Sequence, residues 1–277
     1  MNSDLIYDIG MNNGDDTAFY LSLGYKVIAV EAAPNLVDIA AKRFKSFIEE
    51  NKLQILNIGI SDSEGSMPFY INKHDSGWSS FDMNLGRRGG SGYDIINVKT
   101  KTLAQLINEY GVPHYLKVDI EGYDHIAINS LLNCVEKPTF ISIELYSIEE
   151  IILLGQLGYT KYKIIDQQNF LPLEIPATKE YLIHKKLVAF KTSRNFIIRV
   201  IRKLFGNMIT KFLDKKYKHL FKYEHKFESS GPFGDHYPGK WHSLNEIKEL
   251  FLYYKTEFEQ SPGNKEFGWW IDIHATT

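Results

Sequence analysis

Short apolar runs alternate with segments of helical periodicity over the first 191 residues of the chain. Each run ends at turn-forming residues, and the segments between the runs carry apolar residues three or four positions apart. This alternation predicts an α/β fold with a mostly parallel sheet that is covered by helices. The predicted strands are residues 5–9, 27–30, 53–58, 115–118, 140–143, 161–165 and 187–190. The predicted helices are residues 16–23, 36–49, 102–110, 124–132 and 148–157.

Residues 63–100 interrupt the alternation of strands and helices. Two β-like pieces, at 67–71 and 95–98, flank a glycine-rich loop. Long loops inside a compact domain commonly form lids or binding loops. We therefore expect this loop to cover an active site.

The pattern changes again after residue 191. Residues 196–213 have the periodicity of a basic amphipathic helix, and a turn-rich segment at 229–241 precedes a last helix at 244–254. We expect two parts on this basis. Residues 1–191 form the α/β domain, and residues 192–277 form a helical and irregular appendage for substrate or partner contacts.

The net charge of −2 hides a strongly basic segment, because eleven basic and only two acidic residues lie between Lys191 and Lys226. One interpretation is a solvated face of a packed helix. Another is a surface that docks onto an anionic membrane or a lipid-linked substrate. Nucleic-acid binding is disfavoured because the aromatic residues of the segment form no evident platform for base stacking.

Cysteine content and hydropathy argue against disulfide-bonded, membrane-spanning and secreted proteins. Cys134 is the single cysteine, which excludes an internal disulfide and a cysteine metal cluster. No stretch approaches the roughly 18 apolar residues of a membrane span. The first residues lack the basic and apolar regions of a secretory signal. We expect a cytoplasmic protein, with a peripheral position at the inner membrane face as the alternative.

The first strand and its loop carry the most informative signal. The strand breaks at a loop that contains Gly10 and Gly14, and the next predicted strand ends on Glu31. In α/β sheets such a loop approaches an adenosine-containing cofactor, and an acid about 20 residues further on binds the ribose hydroxyls. The chain lacks the G-x-G-x-x-G of a dinucleotide site. This departure favours S-adenosylmethionine over NAD.

Polar residues around this loop are candidate cofactor contacts. Asp8, Asn12, Asp16 and Thr17 could bind the amino-acid end of a small cofactor, because a carboxylate attracts an ammonium and a sulfonium but repels a pyrophosphate. An ordinary strand-to-helix turn with a capped helix is the structural alternative.

Another cofactor candidate follows the third predicted strand. Asp62, beside Ser61, could accept a hydrogen bond from an adenine amino group. An Asx-type turn explains the same residues almost as well.

The strand at 115–118 ends on Asp119, and Glu121 lies in the turn that follows. In a sheet ordered 3-2-1-4-5 this strand lies beside the first one. Asp119 then faces the loop that contains Gly10 and Gly14, called the opening loop below, across the crevice where ligands bind. The two carboxylates could supply a general base for a substrate hydroxyl, or oxygen ligands for a divalent cation such as Mg²⁺. Helix capping is the alternative, although it explains Asp124 better than Asp119.

Candidate substrate contacts lie near the carboxyl ends of the predicted strands and in the glycine-rich loop. Each is a polar or aromatic side chain near the predicted site, and the set is His74, Trp78, Ser79, Ser80, His125 and Glu144. A surface role on the helix is the alternative for His125, and an ordinary charged strand end is the alternative for Glu144. No pair of histidines has convincing metal-ligand spacing.

Taken in order, the motifs at residues 7–10, 30–34, 61–65, 79–80 and 116–122 resemble the FkbM-type family of S-adenosylmethionine-dependent methyltransferases. The resemblance covers roughly residues 5–160. It implies a Rossmann-like methyltransferase sheet, mostly parallel with an antiparallel last strand. It also implies methyl transfer to a hydroxyl group, commonly on a sugar or a secondary metabolite.

The resemblance also implies roles for particular residues. The donor would lie over Asp8, Gly10, Gly14 and Glu31, with Ala32 in the same motif and Asp119 beside the methyl group. We therefore predict an O-methyltransferase that acts on a glycan or glycan precursor in polysaccharide biosynthesis.

Two other functions remain as alternatives. One is a NAD-dependent or nucleotide-sugar oxidoreductase, against which the missing pyrophosphate glycine and the absence of a Tyr-x-x-x-Lys pair argue. The other is a catalytically inactive protein that docks on membranes, against which the acids at every expected strand end argue.

Overall fold

A computed structural model of the chain describes residues 2–90, 92–192, 195–217, 229–260 and 270–277. The described strands are β1 Asn2–Ile9, β2 Lys26–Val30, β3 Leu53–Leu56, β4 Gly59–Ile60, β5 Gly65–Asn72, β6 Tyr93–Lys101, β7 Pro113–Val118, β8 Phe140–Glu144, β9 Lys161–Asp166, β10 Leu171–Pro172 and β11 Ile271–Thr276. The described helices are α1 Asp15–Ser22, α2 Pro34–Arg43, α3 Lys45–Glu49, α4 Met83–Gly86, α5 Leu103–Tyr110, α6 Asp124–Asn129, α7 Ile148–Gln156, α8 Lys179–Thr192, α9 Phe196–Tyr217 and α10 Leu244–Gln260.

The main sheet has eight strands in the order β10-β9-β11-β8-β7-β1-β2-β3. The pairs from β8 through β7, β1 and β2 to β3 are parallel, whereas β11 is antiparallel to both β8 and β9. The predicted α/β class, with a mostly parallel sheet and an antiparallel last strand, is confirmed. The order also places β7 beside β1, which brings the ends of these two strands together.

Alternate residues of β1 pack into different cores, so both faces of the sheet are covered. Tyr7 and Ile9 join one core with residues of α5, α6, α7 and α10. Ile6 points to the other face, where it packs with residues of α1 and α2. This division follows from the two-residue period of a strand.

Residues 187–190 were predicted as a strand, and this prediction is wrong because they lie within helix α8. A short apolar run does not by itself distinguish a strand from a helix. The place of the last strand is taken instead by β11, from the C-terminal segment that we expected to be an appendage.

Other parts of the C-terminal segment also pack on the main sheet. Ile247 and Phe251 of α10 are buried in the core beneath α7 and β9. Phe233, in the turn-rich segment, stacks on Tyr115 of β7 with ring centroids 4.2 Å apart. Parts of the C-terminal segment therefore belong to the same hydrophobic cores as the main sheet.

A smaller sheet of three strands, in the order β4-β6-β5, carries the glycine-rich loop. Strands β5 and β6 are antiparallel, and Asn72 pairs with Tyr93 at the end where the loop begins and ends. The hairpin therefore brings the two ends of the loop together at Asn72 and Tyr93. Within the described residues, no helix has the length and apolar character needed to cross a membrane.

Candidate functional site

The predicted site residues follow strands that end side by side. Ile9 of β1 lies between Val30 of β2 and Val118 of β7, and Val118 in turn pairs with Ile143 of β8. The residues that follow these positions therefore form one rim at the carboxyl ends of the parallel strands. Ligands of open α/β sheets bind at this edge.

The opening loop crosses the rim with almost no space around its first glycine. A Cβ atom on Gly10 would lie 1.8 Å from the carbonyl oxygen of Asp119, and Gly10 has a φ of +81°. The backbone N–H of Gly10 donates to the Val30 carbonyl at 3.0 Å. Gly14 also has a positive φ, and a Cβ there would lie 2.6 Å from the Phe44 ring. Glycine is required at both positions because they combine positive φ with close contacts.

Glu31 lies at the end of β2 and holds the opening loop. Its carboxylate accepts hydrogen bonds from the backbone N–H groups of Asn12 and Ala33, both at 2.8 Å. Burial raises the pKa of Glu31, although these two hydrogen bonds oppose the change. Each carboxylate oxygen keeps a further lone pair that can accept from a ligand hydroxyl. The adjacent Ala32 is partly buried, and its carbonyl accepts from Asn57 at 3.1 Å.

A buried lysine lies beneath the loop. The Lys117 ammonium is 3.3 Å from a carboxylate oxygen of Asp8 and 3.5 Å from oxygens of Asp16 and Asp119. It also donates to the carbonyl of Gly10 at 3.1 Å. The three carboxylates raise the pKa of Lys117 and outweigh the effect of burial. One cation therefore joins the opening loop to the rim.

Sequence reasoning did not single out Lys117, although a signal was present. It lies between Leu116 and Val118 in an apolar strand. Lysine is almost never fully buried unless it is paired with an acid. A lysine at the centre of a buried strand therefore indicates acidic partners nearby.

Asp8 and Thr17 support the loop from below. The Thr17 hydroxyl donates to Asp8 at 2.6 Å, and both side chains are buried. Burial raises the pKa of Asp8, whereas Lys117 and Thr17 act in the opposite direction. In this arrangement Asp8 bonds to the protein itself, and its contact with a bound cofactor stays a prediction.

Asp16 connects the first helix to the C-terminal segment. Its carboxylate accepts from the Ser229 hydroxyl at 2.5 Å and from the Ser230 backbone N–H at 3.0 and 3.1 Å. Both serines are buried. Because these contacts join residues more than 200 positions apart, the sequence pattern did not reveal them.

The turn after β7 presents two carboxylates to the rim. The Asp119 side chain is about one-third exposed and pairs with Lys117. Glu121 and Gly122 have φ values of +51° and +87°, which turn the chain sharply into α6. Burial and the Asp119 charge raise the pKa of Glu121 to about 7, although the guanidinium of Arg88 donates to this carboxylate and opposes the rise.

Three further carboxylates lie within electrostatic range of this turn. Burial and the neighbouring acids raise the pKa of Asp124, Glu144 and Asp272. Within the described residues, neither carboxylate oxygen of Asp124 has a hydrogen-bond partner. The Glu144 carboxylate accepts a hydrogen bond from the Tyr146 hydroxyl. In the sheet, Glu144 of β8 lies opposite Asp272 of β11. The structure thus places Asp124, Tyr146 and Asp272, which the sequence analysis did not propose as site residues, near the predicted site residue Glu144.

The glycine-rich loop contacts the rim at the segments that follow β1 and β7. The Ser76 hydroxyl donates to the Asn12 side chain at 3.0 Å in the opening loop. The Ser80 hydroxyl donates to the Glu121 carbonyl at 2.8 Å. Ser76 and Ser80 therefore join the glycine-rich loop, called the lid below, to the two segments that the sequence analysis assigned to cofactor and catalysis. That the lid covers an active site stays a prediction.

Other predicted substrate residues lie in the same lid. His74 is exposed, and its ring centroid is 5.8 Å from that of the half-buried Trp78. The guanidinium carbon of Arg88 lies 5.5 Å from the centroid of the Trp78 ring. Ser79 accepts from the backbone N–H of Asn72 at 3.1 Å, so its hydroxyl holds the base of the lid.

The remaining candidates have local contacts. Ser61 is buried, and its backbone N–H donates to the Lys101 carbonyl at 3.0 Å. Asp62 is exposed and accepts from the Ser61 and Ser63 hydroxyls, which is the pattern of a polar turn. His125 is exposed on α6. The contacts of Ser61 and Asp62 are therefore with their own turn and the smaller sheet.

The carboxylates do not form a metal centre. Among the described residues, no group of three or more His, Cys, Asp or Glu side chains has an arrangement that could hold a metal ion. The suggestion of a bound Mg²⁺ is therefore not supported.

The structure is that of an α/β protein with a candidate ligand site at the carboxyl ends of its parallel strands. The chain matches the family described as the methyltransferase FkbM domain over residues 8–175. This match covers more than half of the chain. The protein belongs to the FkbM methyltransferase family.

Solved structures of several methyltransferases are similar at low identity. The methyltransferase FkbM from Methylobacillus flagellatus has 13% identity and a TM-score of 0.42, with 58% of this chain and 40% of that chain covered. The C-terminal domain of precorrin-6Y C5,15-methyltransferase from Rhodobacter capsulatus has 13% identity and a TM-score of 0.35, with 60% and 68% covered. The phosphoethanolamine N-methyltransferase 2 of Haemonchus contortus, in complex with S-adenosyl-L-methionine, has 10% identity and a TM-score of 0.38, with 100% and 49% covered.

The chain thus spans less than half the length of the Methylobacillus protein. No protein of curated function matches it.

The residues at the rim fit S-adenosylmethionine, the donor that this family resemblance implies. Gly10 lets the loop backbone approach the Asp119 carbonyl in a space that a Cβ atom would fill. Glu31 retains acceptor capacity for ribose hydroxyls. The partly exposed carboxylate of Asp119 is an acceptor that suits a cationic ligand.

Proposed function

We propose that the protein is an S-adenosylmethionine-dependent O-methyltransferase whose acceptor is a hydroxyl of a glycan or glycan precursor. One observation carries this proposal. Glu121, whose pKa is raised to about 7, lies two residues beyond Asp119 on a turn that touches the opening loop. A proton acceptor and a donor-binding loop therefore meet at one rim.

Two segments would hold the donor. Glu31 would accept from the ribose hydroxyls while its hydrogen bonds to Asn12 and Ala33 keep the carboxylate in place. Asp119 would face the cationic end of the donor. When bound, S-adenosylmethionine supplies a methyl carbon that is attached to a sulfonium and is therefore open to attack by an oxygen nucleophile.

Glu121 would remove the proton from the acceptor hydroxyl as the oxygen–methyl bond forms and the sulfur–methyl bond breaks. A general base works best when its pKa lies near the working pH. The pKa of about 7 meets this condition. Arg88 orients the carboxylate, and the lid that carries Arg88 would exclude water from the reacting groups.

A sugar acceptor fits the polar groups of the rim. Carboxylates accept hydrogen bonds from hydroxyl groups, and the half-buried Glu144 lies within electrostatic range of Glu121. Trp78 offers an aromatic ring in the lid, against which the C–H face of a sugar can pack. A role in polysaccharide biosynthesis follows from this acceptor class.

Titration calorimetry tests the donor. We expect S-adenosylmethionine and S-adenosylhomocysteine to bind the whole chain, with no binding of NAD in the same concentration range. Preferential binding of NAD would favour the oxidoreductase alternative and overturn the proposal.

Radiolabelled transfer tests the acceptor. The chain is incubated with methyl-labelled S-adenosylmethionine and either capsular polysaccharide or lipid-linked oligosaccharide as acceptor. A methyl ether resists alkaline hydrolysis, whereas a methyl ester is cleaved, and acid hydrolysis then releases the methylated sugar for mass spectrometry. Label that is confined to esters, amines or protein would contradict a sugar hydroxyl as acceptor.

Two variants separate catalysis from donor binding. Glu121→Gln removes the proposed base and should lower transfer by about two orders of magnitude or more while donor affinity changes little. Glu49→Gln, at an exposed position on α3, is the matched control and should leave transfer unchanged. Retained transfer by Glu121→Gln would exclude this residue as the base.

A further inference from the structure

The first half of α9 exposes a continuous apolar stripe. Among the side chains of α9 that the structure describes, six large apolar ones are exposed, with Phe196 at 77% and Leu204 at 69%. The full set is Phe196, Ile197, Val200, Ile201, Leu204 and Phe205. Isolated exposed apolar residues are ordinary, but six on one helix mark an interaction surface.

The stripe occupies one side of the helix. At about 100° per residue its members span roughly half of the circumference. The opposite side carries Ile198, Arg202 and Gly206, which are half-buried or buried, and α9 contacts α8. The apolar stripe therefore points away from the packed side of α9.

Basic side chains border the stripe. Arg199 and Lys203 are exposed, and they fall between the packed side and the edge of the stripe at Phe196. The sequence around the helix extends this charge, with eleven basic and two acidic residues from Lys191 to Lys226. An apolar face with a basic border is the pattern of a helix that lies in a membrane interface.

We propose that α9 docks the protein onto an anionic lipid bilayer. The apolar stripe enters the boundary between headgroups and acyl chains, and Arg199 and Lys203 contact the anionic headgroups. The helix lies parallel to the membrane surface, because none of the described helices is able to cross it. This inference is independent of the methyl-transfer reaction. We expect an anionic bilayer because basic residues near the membrane surface are attracted to anionic headgroups.

Vesicle flotation with the whole chain tests the proposal. One set of vesicles is phosphatidylcholine alone, and the other contains about 30% phosphatidylglycerol. We expect the chain to float with the anionic vesicles in about 50 mM salt and to lose at least tenfold in affinity in about 500 mM salt, because salt screens the headgroup charge. Equal binding to the neutral vesicles would overturn the charge argument.

Paired variants test the two components of the surface. The double variant Ile197→Glu with Leu204→Glu removes the stripe, and Arg199→Glu with Lys203→Glu reverses the bordering charge. Each should lower binding to anionic vesicles at least tenfold. The controls are Leu252→Glu on α10, where the native side chain is 49% exposed, and Lys42→Glu on α2. Both controls should bind like the unaltered chain, and circular dichroism checks that every variant is folded.

Two results would overturn the proposal. The first is undiminished flotation of the stripe variant. The second is a dimer, measured by light scattering, that Ile197→Glu with Leu204→Glu dissociates while no form of the chain binds vesicles. That outcome would assign the stripe to contacts between copies of the chain.

Discussion

Gly10 and Asp119 are in such close contact that a Cβ atom on Gly10 would lie 1.8 Å from the Asp119 carbonyl oxygen. The contact joins the opening loop to the turn that bears the proposed base. A change at Gly10 should therefore affect the proposed donor site and the proposed base together.

Gly10→Ala should destabilise the fold and abolish donor binding. The new methyl group meets backbone atoms that cannot rotate away, and the φ of +81° is unfavourable for alanine. We expect a loss of about 2–4 kcal/mol in the free energy of unfolding. Urea denaturation measures this loss, and calorimetry with S-adenosylmethionine measures the loss of binding.

Gly24→Ala is the control for this substitution. Gly24 has a φ of +89°, but no atom lies within 4 Å of its Cβ position. Only the backbone strain remains, so the cost should be about 1 kcal/mol. Equal losses for the two variants would show that the contact with Asp119 is unimportant.

Lys117→Met should be among the most destabilising substitutions in the chain. The variant leaves Asp8 and Asp16 buried without their cation. Removal of one partner from a buried ionic group costs about 3–5 kcal/mol. Lys26→Met breaks an exposed pair with Asp4 and should cost no more than about 1 kcal/mol in the same urea titration. A small loss for Lys117→Met would mean that the buried carboxyl groups do not depend on this cation.

Arg88→Met should shift the pH dependence of methyl transfer. Glu121 acts as a base only when it is deprotonated, so the rate should rise with pH through about 7. The Arg88 charge and its hydrogen bond lower the pKa of Glu121, and their removal should raise that pKa above its value in the unaltered chain. Rates measured across the pH range should therefore reach half their maximum at a higher pH in the variant. A profile that stays in place or moves to lower pH would show that Arg88 does not set the protonation of Glu121.

Local patterns were sufficient to predict most of the sheet and the position of the rim. The apolar runs gave β1, β2 and β7, and the rule that strands end together placed Asp119 near Gly10. The run at 187–190 misled because it is short enough to fit a helix.

Contacts between distant segments were beyond the reach of a single sequence. Arg88 meets Glu121 through the lid, and Ser229 meets Asp16 through the C-terminal segment. The sequence pattern of neither segment indicates which distant residue it contacts. The same reasoning applies to Asp272, which enters the site only because β11 pairs with β8.

His274 gives a prediction about stability in acid. Its ring is buried, and within the described residues neither ring nitrogen has a hydrogen-bond partner. Burial, with a further contribution from Lys163, lowers the pKa of His274 to about 3. The unfolded chain takes up a proton at this residue below about pH 6.5, whereas the folded chain does so only near its lower pKa. Stability is therefore lost as the pH falls through this window.

His274→Leu removes this proton linkage and should make the fold less sensitive to acid. Between about pH 7 and 4.5, the free energy of unfolding of the variant should improve relative to the unaltered chain by about 2–3 kcal/mol. Urea titrations at several pH values measure this difference. Ile273→Val, at the neighbouring position of β11, has no titratable group and should cost about 1 kcal/mol at every pH. If the difference between His274→Leu and the unaltered chain is the same at both ends of the range, His274 titrates normally in the folded protein and the apolar environment does not exclude its charged form.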